Sequence, residues 1–151
     1  MHLRSLAVLL FCLSTTHTAF ADSQPAHRFP CRQIRAEIDL TSGTIKGNFG
    51  LDGTVAFVQD SPGTAPATAP AGSSVFSGLL TIATAHGNLI VRETGMFSNR
   101  TGNPAGPQLA SFGETVSGTQ RFTGVTGDLF FTGALVGDVF LVDVTGELCR
   151  P

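Results

Sequence analysis

The chain is 151 residues long and sets nine Lys or Arg against eleven Asp or Glu, a formal charge of −2. That length carries one domain with its own core rather than two, and a weakly acidic chain without a basic cluster excludes nucleic acid and anionic membrane surfaces as partners. Twelve Phe with no Trp or Tyr give aromatic mass without a hydroxyl or indole donor. Such rings suit cores and apolar pocket walls better than sugar recognition.

Residues 1–21 have the form of a secretory signal. His2 and Arg4 make a short basic start, 6–13 is an apolar run too short to span a bilayer, and Ala19-Phe20-Ala21 offers the small-x-small cleavage pattern before Asp22. The chain is therefore expected to be secreted or periplasmic after processing, and Cys12 leaves with the signal. Losing Arg4 takes the basic count to 8 against 11 acidic residues, a charge of −3. No later hydrophobic stretch is long enough for a membrane helix, so no membrane partner is expected.

Residues 22–30 are polar, hold two prolines and read as a flexible leader, so the folded domain is expected over 31–151. From Cys31 the pattern changes: Ile34, Ala36, Ile38 and Leu40 alternate with Arg35, Glu37 and Asp39, the period of a strand with one wet face. Thr41-Ser42-Gly43 turns the chain into a weaker strand over 44–51. Asp52-Gly53 has the composition of a type I′ hairpin turn leading into 54–59. Residues 60–73, rich in Pro, Ala and Thr, cannot build a core. They read either as a plain exposed loop or as a rim over one mouth of the fold.

A mostly apolar strand over 75–85 follows, and His86-Gly87-Asn88 turns it into 89–97. Residues 98–107 are irregular, with Asn103-Pro104 and Gly106-Pro107 as breakers and Asn99-Arg100-Thr101 as a formal glycosylation sequon. The next strand covers 109–116, and Gly137-Asp138 opens the last, 139–148. About eight strands with short turns and no helical period point to an all-β fold, which closes readily as an eight-stranded antiparallel up-and-down β-barrel. A Greek-key sandwich is the alternative. Cys31 and Cys149 are an even pair in an exported chain and read as a disulfide tying the first strand to the last, which favours closure.

Residues 118–136, GTQRFTGVTGDLFFTGALV, read as a hairpin: a strand ending at Phe122, a turn over Gly124-Val125-Thr126-Gly127, and a second strand through Leu129, Phe130 and Phe131. Gly124 and Gly127 supply the positive φ that such a turn needs. This Phe122-x-Gly124-x-x-Gly127 pattern resembles the signature hairpin of the allene oxide cyclase and dirigent-like β-barrels. The resemblance implies a calycin-like barrel with an apolar interior, in which those families use a glutamate with a bound water, or acidic and arginine residues. It also implies relatives that form dimers or trimers, so a homo-oligomer is one expectation. Only the turn matches position by position, so no catalytic residue is carried over. The closer comparison is with small exported relatives that have no assigned activity.

No Gly-x-Ser-x-Gly elbow, HExxH, Walker loop or dinucleotide fingerprint is present, and no His pair has metal spacing, so neither a metal nor a cofactor is expected. Three acids stand in register with apolar residues instead. Glu93 shares a face with Leu89, Val91 and Phe97; Glu114 with Ala110, Phe112 and Val116; and Asp143 with Val139 and Leu141. A carboxyl on a barrel's inner face would be desolvated, its pKa raised, able to act as an acid or to anchor a polar group. Glu93 and Glu114 are thus catalytic candidates, and Arg92, Phe112, Arg121 and Asp143 candidate ligand contacts. The alternative is that these faces point outward and the acids are solvated, since both faces of the Glu93 strand carry apolar residues. The expected core is Ile34, Ile38, Leu40, Val55, Phe57, Leu79, Phe112, Phe122, Leu129, Phe131 and Leu141. Three functions fit: a binder of a small hydrophobic ligand, a cyclase- or isomerase-like enzyme, and a structural or interaction protein with a filled barrel.

Overall fold

Alternation along the chain puts one apolar face of each strand inward, and the strands follow one another by short turns. The structure, a computed structural model, describes residues 30–60, 62–99 and 106–151; the signal, most of the leader, and Arg100 and Thr101 of the sequon lie outside them. Eight strands are formed: β1 (Cys31–Asp39), β2 (Thr44–Gly47), β3 (Gly53–Gln59), β4 (Ser73–Thr84), β5 (Gly87–Ser98), β6 (Gln108–Gly118), β7 (Thr126–Val136) and β8 (Val139–Cys149). Each pairs antiparallel with the next, and β8 returns to β1, so the barrel closes in sequence order. The β1–β8 seam runs from Cys31 opposite Cys149 to Asp39 opposite Leu141, and the two cysteines are joined. The thinnest pairing is β2–β3, which holds only Thr44 opposite Thr54 and Ile45 opposite Gly53.

The two ends of the barrel differ. Where β1 starts and β8 ends, Leu51, Leu89, Phe122, Val125 and Leu148 are almost wholly buried and fill the interior with Ile34, Ile45, Ile82 and Leu129. Two short 3₁₀ turns, Asn48–Gly50 and Gln120–Phe122, cover this end and supply Phe49 and Phe122, whose rings lie 6.4 Å apart. The Arg150 guanidinium stacks on Phe49, 4.3 Å from its centroid. The opposite end stays open, with Pro62 and Gly63 at its edge.

Several expectations change at the level of turns and faces. Phe122 is not the end of a strand: β6 stops at Gly118, and Phe122 closes a 3₁₀ turn as a plug. The β2–β3 link is not a type I′ turn at Asp52-Gly53. Left-handed backbone falls at Phe49 and Gly50 instead, because the 3₁₀ turn must tip Phe49 toward the plugged end. The 118–136 turn does carry positive φ at Gly124 and Gly127, and a Cβ at Gly127 would stand 2.0 Å from the Glu147 carbonyl oxygen. In the core, Ile34, Ile38, Phe122, Leu129 and Phe131 are buried, whereas Leu79 and Leu141 yield their places to Leu80, Val142 and Val144. Val55 is partly buried against the core. Phe112 is 44% exposed, on the outer face. Leu40 and Phe57, 46% and 40% exposed, belong to the inner face but border the open end.

Candidate functional site

The open half of the barrel encloses a cavity of about 370 Å³. Its wall is built from inward positions of seven strands: Ile38 of β1, Phe57 of β3, Phe76 and Leu80 of β4, Phe97 of β5, Leu109 of β6, Phe131 of β7 and Val142 of β8. Pro62 and Gly63 form part of the rim, where Gly63 pairs with Val75 in an isolated bridge. The Pro-rich 60–73 segment therefore contributes to the mouth. Further turns at Ala69 and Ser73, whose amides bond to the carbonyls of Pro66 and Pro70, hold the loop's shape. Gln59 and Ser74 are the polar side chains near this edge.

Among the described residues, one titratable side chain lines the cavity. Glu93 is 5% exposed and sits in the row Gly78–Glu93–Gly113 across β4, β5 and β6. Glycine on both sides matters because this part of the wall has no spare room: a Cβ at Gly113 would come within 2.5 Å of a Val91 methyl and 3.1 Å of the Phe131 ring. The next inward residue of β6, Ser111, donates its hydroxyl hydrogen to Glu93 Oε1. A Cβ at Gly95, which stands opposite Ser111, would collide with the Ser111 Cβ at 2.3 Å. Burial raises the Glu93 carboxyl above its ordinary value of 4.5, and the Ser111 hydrogen bond pulls it partly back. Glu93 can therefore hold a proton that an exposed carboxyl would release, or accept a cation when ionised.

The other candidates lie elsewhere. Glu114 and Asp143 are exposed on the outer face, not in the lumen: β6 turns its more apolar face outward and takes Glu114 with it, whereas β8 buries its more apolar set, Val142, Val144 and Leu148, which leaves Asp143 outside. On β6 the inward set is Leu109, Ser111, Gly113 and Thr115, while Phe112 stacks outside against Phe130 at 5.4 Å. On β8, Val142 and Val144 point in, and Asp143 stands opposite Glu37 and Thr132 on the surface. Arg92 also faces out and pairs with Asp60, each about half exposed. Arg121 belongs to the 3₁₀ turn at the plugged end. There desolvation, and then the charges of Arg121 and Arg32, hold the Arg150 guanidinium below its ordinary value. Neither arginine joins Glu93.

Ser111 and Phe76 were not legible as site residues. The one available signal for Ser111 was the small-residue alternation Ser111-x-Gly113-x-Thr115, which marks a face leaving space rather than filling it. Among the described residues no group of three or more His, Cys, Asp or Glu side chains could hold a metal ion, and no described helix is long and apolar enough to cross a membrane. No family model, curated protein or solved structure matches the chain.

Proposed function

We propose that this protein is an exported barrel that binds a small hydrophobic molecule in its lumen. The observation that carries the reading is the one-ended cavity: about 370 Å³, within the roughly 300–1,000 Å³ of ordinary ligand sites, walled by Phe, Leu, Ile and Val with a single buried carboxyl. A barrel serving only as a scaffold would gain by filling that space with side chains, as it does at the other end. The outer face supports an aqueous location. Charged Arg35, Glu37, Arg92, Glu114, Asp128, Asp143 and Glu147 face outward around an apolar interior, the reverse of a lipid-facing barrel. The cysteine pair fits an oxidising compartment. The relationship to allene oxide cyclase and dirigent-like barrels belongs to this proposal and rests on the 122–127 turn and the barrel form.

A second reading, a cyclase- or isomerase-like enzyme, is favoured by one feature: Glu93, a buried acid with a raised pKa in the wall of an apolar cavity. The test of the first reading is titration of the oxidised protein with an environment-sensitive apolar dye. Saturable binding at one site per chain is expected, and it should be lost in Leu109→Trp, which puts an indole into the cavity from a wall position. A folded wild-type protein that binds no dye overturns the proposal.

A further inference from the structure

The cavity offers a ligand almost no polar partner besides Glu93. Gln59 and Ser74 sit toward the rim, and among the described residues the lining holds no basic side chain. Glu93 itself receives a hydrogen bond at Oε1 from Ser111, and no described arginine or lysine reaches it. Arg92, its neighbour in sequence, is turned outward by strand alternation and held by Asp60. A buried carboxylate normally has a cationic partner, and the described residues supply none here.

We propose that the lumen is selective for apolar amines, with the ligand's ammonium group seated on the Glu93 carboxylate and its hydrocarbon part directed along the phenyl-lined wall toward the mouth. This rests on the reading of the barrel as a ligand binder. The ammonium donates to a Glu93 carboxylate oxygen, and the Ser111 oxygen, whose hydrogen is already given to Glu93, remains able to accept from it. The phenyl rings of Phe76, Phe97 and Phe131 tolerate a cation through their faces and provide no competing donor. The same geometry rejects carboxylates: a fatty-acid head group would meet Glu93 with like charge and find no cation in the wall, so discrimination comes from repulsion as well as from attraction.

The test uses displacement of the apolar dye by decylamine, decan-1-ol and decanoate, each below its micelle-forming concentration, at neutral pH. The expected result is displacement by decylamine at about tenfold or more lower concentration than by decan-1-ol, with decanoate the weakest. In Glu93→Gln the amine and the alcohol should come together while the alcohol changes by less than about threefold. In the wild-type protein, lowering the pH through the Glu93 titration should erase the amine preference and leave decan-1-ol unaffected, a readout that needs no variant. Dye and decan-1-ol binding without an amine preference overturns the amine assignment and leaves the cavity reading standing. An amine preference that survives in Glu93→Gln also overturns it, placing the ammonium on outer carboxylates. Binding of none of the probes overturns both.

Discussion

Glu93 is where a single residue departs most from what its type prefers. A carboxyl 5% exposed among apolar side chains lowers stability when ionised, and the proton equilibrium reports it. Below the ordinary value of 4.5, folded and unfolded chains both hold the proton and Glu93 adds no pH dependence. Above it the unfolded chain releases the proton first, so stability falls with rising pH until the folded carboxyl also ionises, and then stays at the lower level. Glu93→Gln is expected to remove that fall, gaining on the wild type as pH rises from about 4 to about 8. Denaturant midpoints of both proteins across that range check it, and parallel profiles would count against a buried, unpaired Glu93. That Glu93 shares a face with Leu89, Val91 and Phe97 was legible from alternation alone. Ser111 was not, because a hydrogen bond between β5 and β6 depends on register, which no single strand records.

At the scale of elements, β6 shows why an apolar face and an inner face are different things. Its outward residues Ala110, Phe112 and Val116 are the more hydrophobic set, yet Ser111 and Gly113 point inward because Glu93 and the Phe131 ring occupy the space beside them. Glu114, placed by its apolar neighbours, went outward with them. There it stands directly opposite Asp128, which in turn stands directly opposite Glu147, giving a row of three carboxylates across β6, β7 and β8. Arg92 is Glu114's partner on β5, but its guanidinium is engaged by Asp60. Like charges directly opposite one another weaken a sheet. Asp128→Asn should therefore raise stability by about 0.2–1 kcal/mol, with the gain shrinking as salt screens the row. Equilibrium unfolding at low and high ionic strength measures both, and a loss of stability at low salt would mean the row is neutralised by something other than solvent.

For the whole molecule, closure is the decisive property. Pairing β1 with β8 removes the two sheet edges that an open meander would expose, and the Cys31–Cys149 bond fastens that seam across a sequence separation of 118 residues. Its removal by paired Cys→Ser substitution is expected to cost about 2–5 kcal/mol, read as a lower denaturant midpoint that reductant reproduces in the wild type. Mass spectrometry of protein recovered from a secreting host should find a chain starting at Asp22 and two hydrogens lighter than the reduced form. An intact 1–21 segment would overturn export by cleavage, and free thiols would overturn the staple.

Strand number, the terminal cysteine pair and the period-two face of β1 follow from the sequence, because alternation and turn chemistry act over a few residues. Which face of β5 and β6 looks inward was decided by the tertiary structure. Both faces of those strands carry apolar side chains, and only the partners' bulk settles which of them the lumen can hold. The same holds for the cavity. Local pattern makes a strand hydrophobic, but whether eight such strands fill their barrel or leave one end open depends on how all their side chains meet at once.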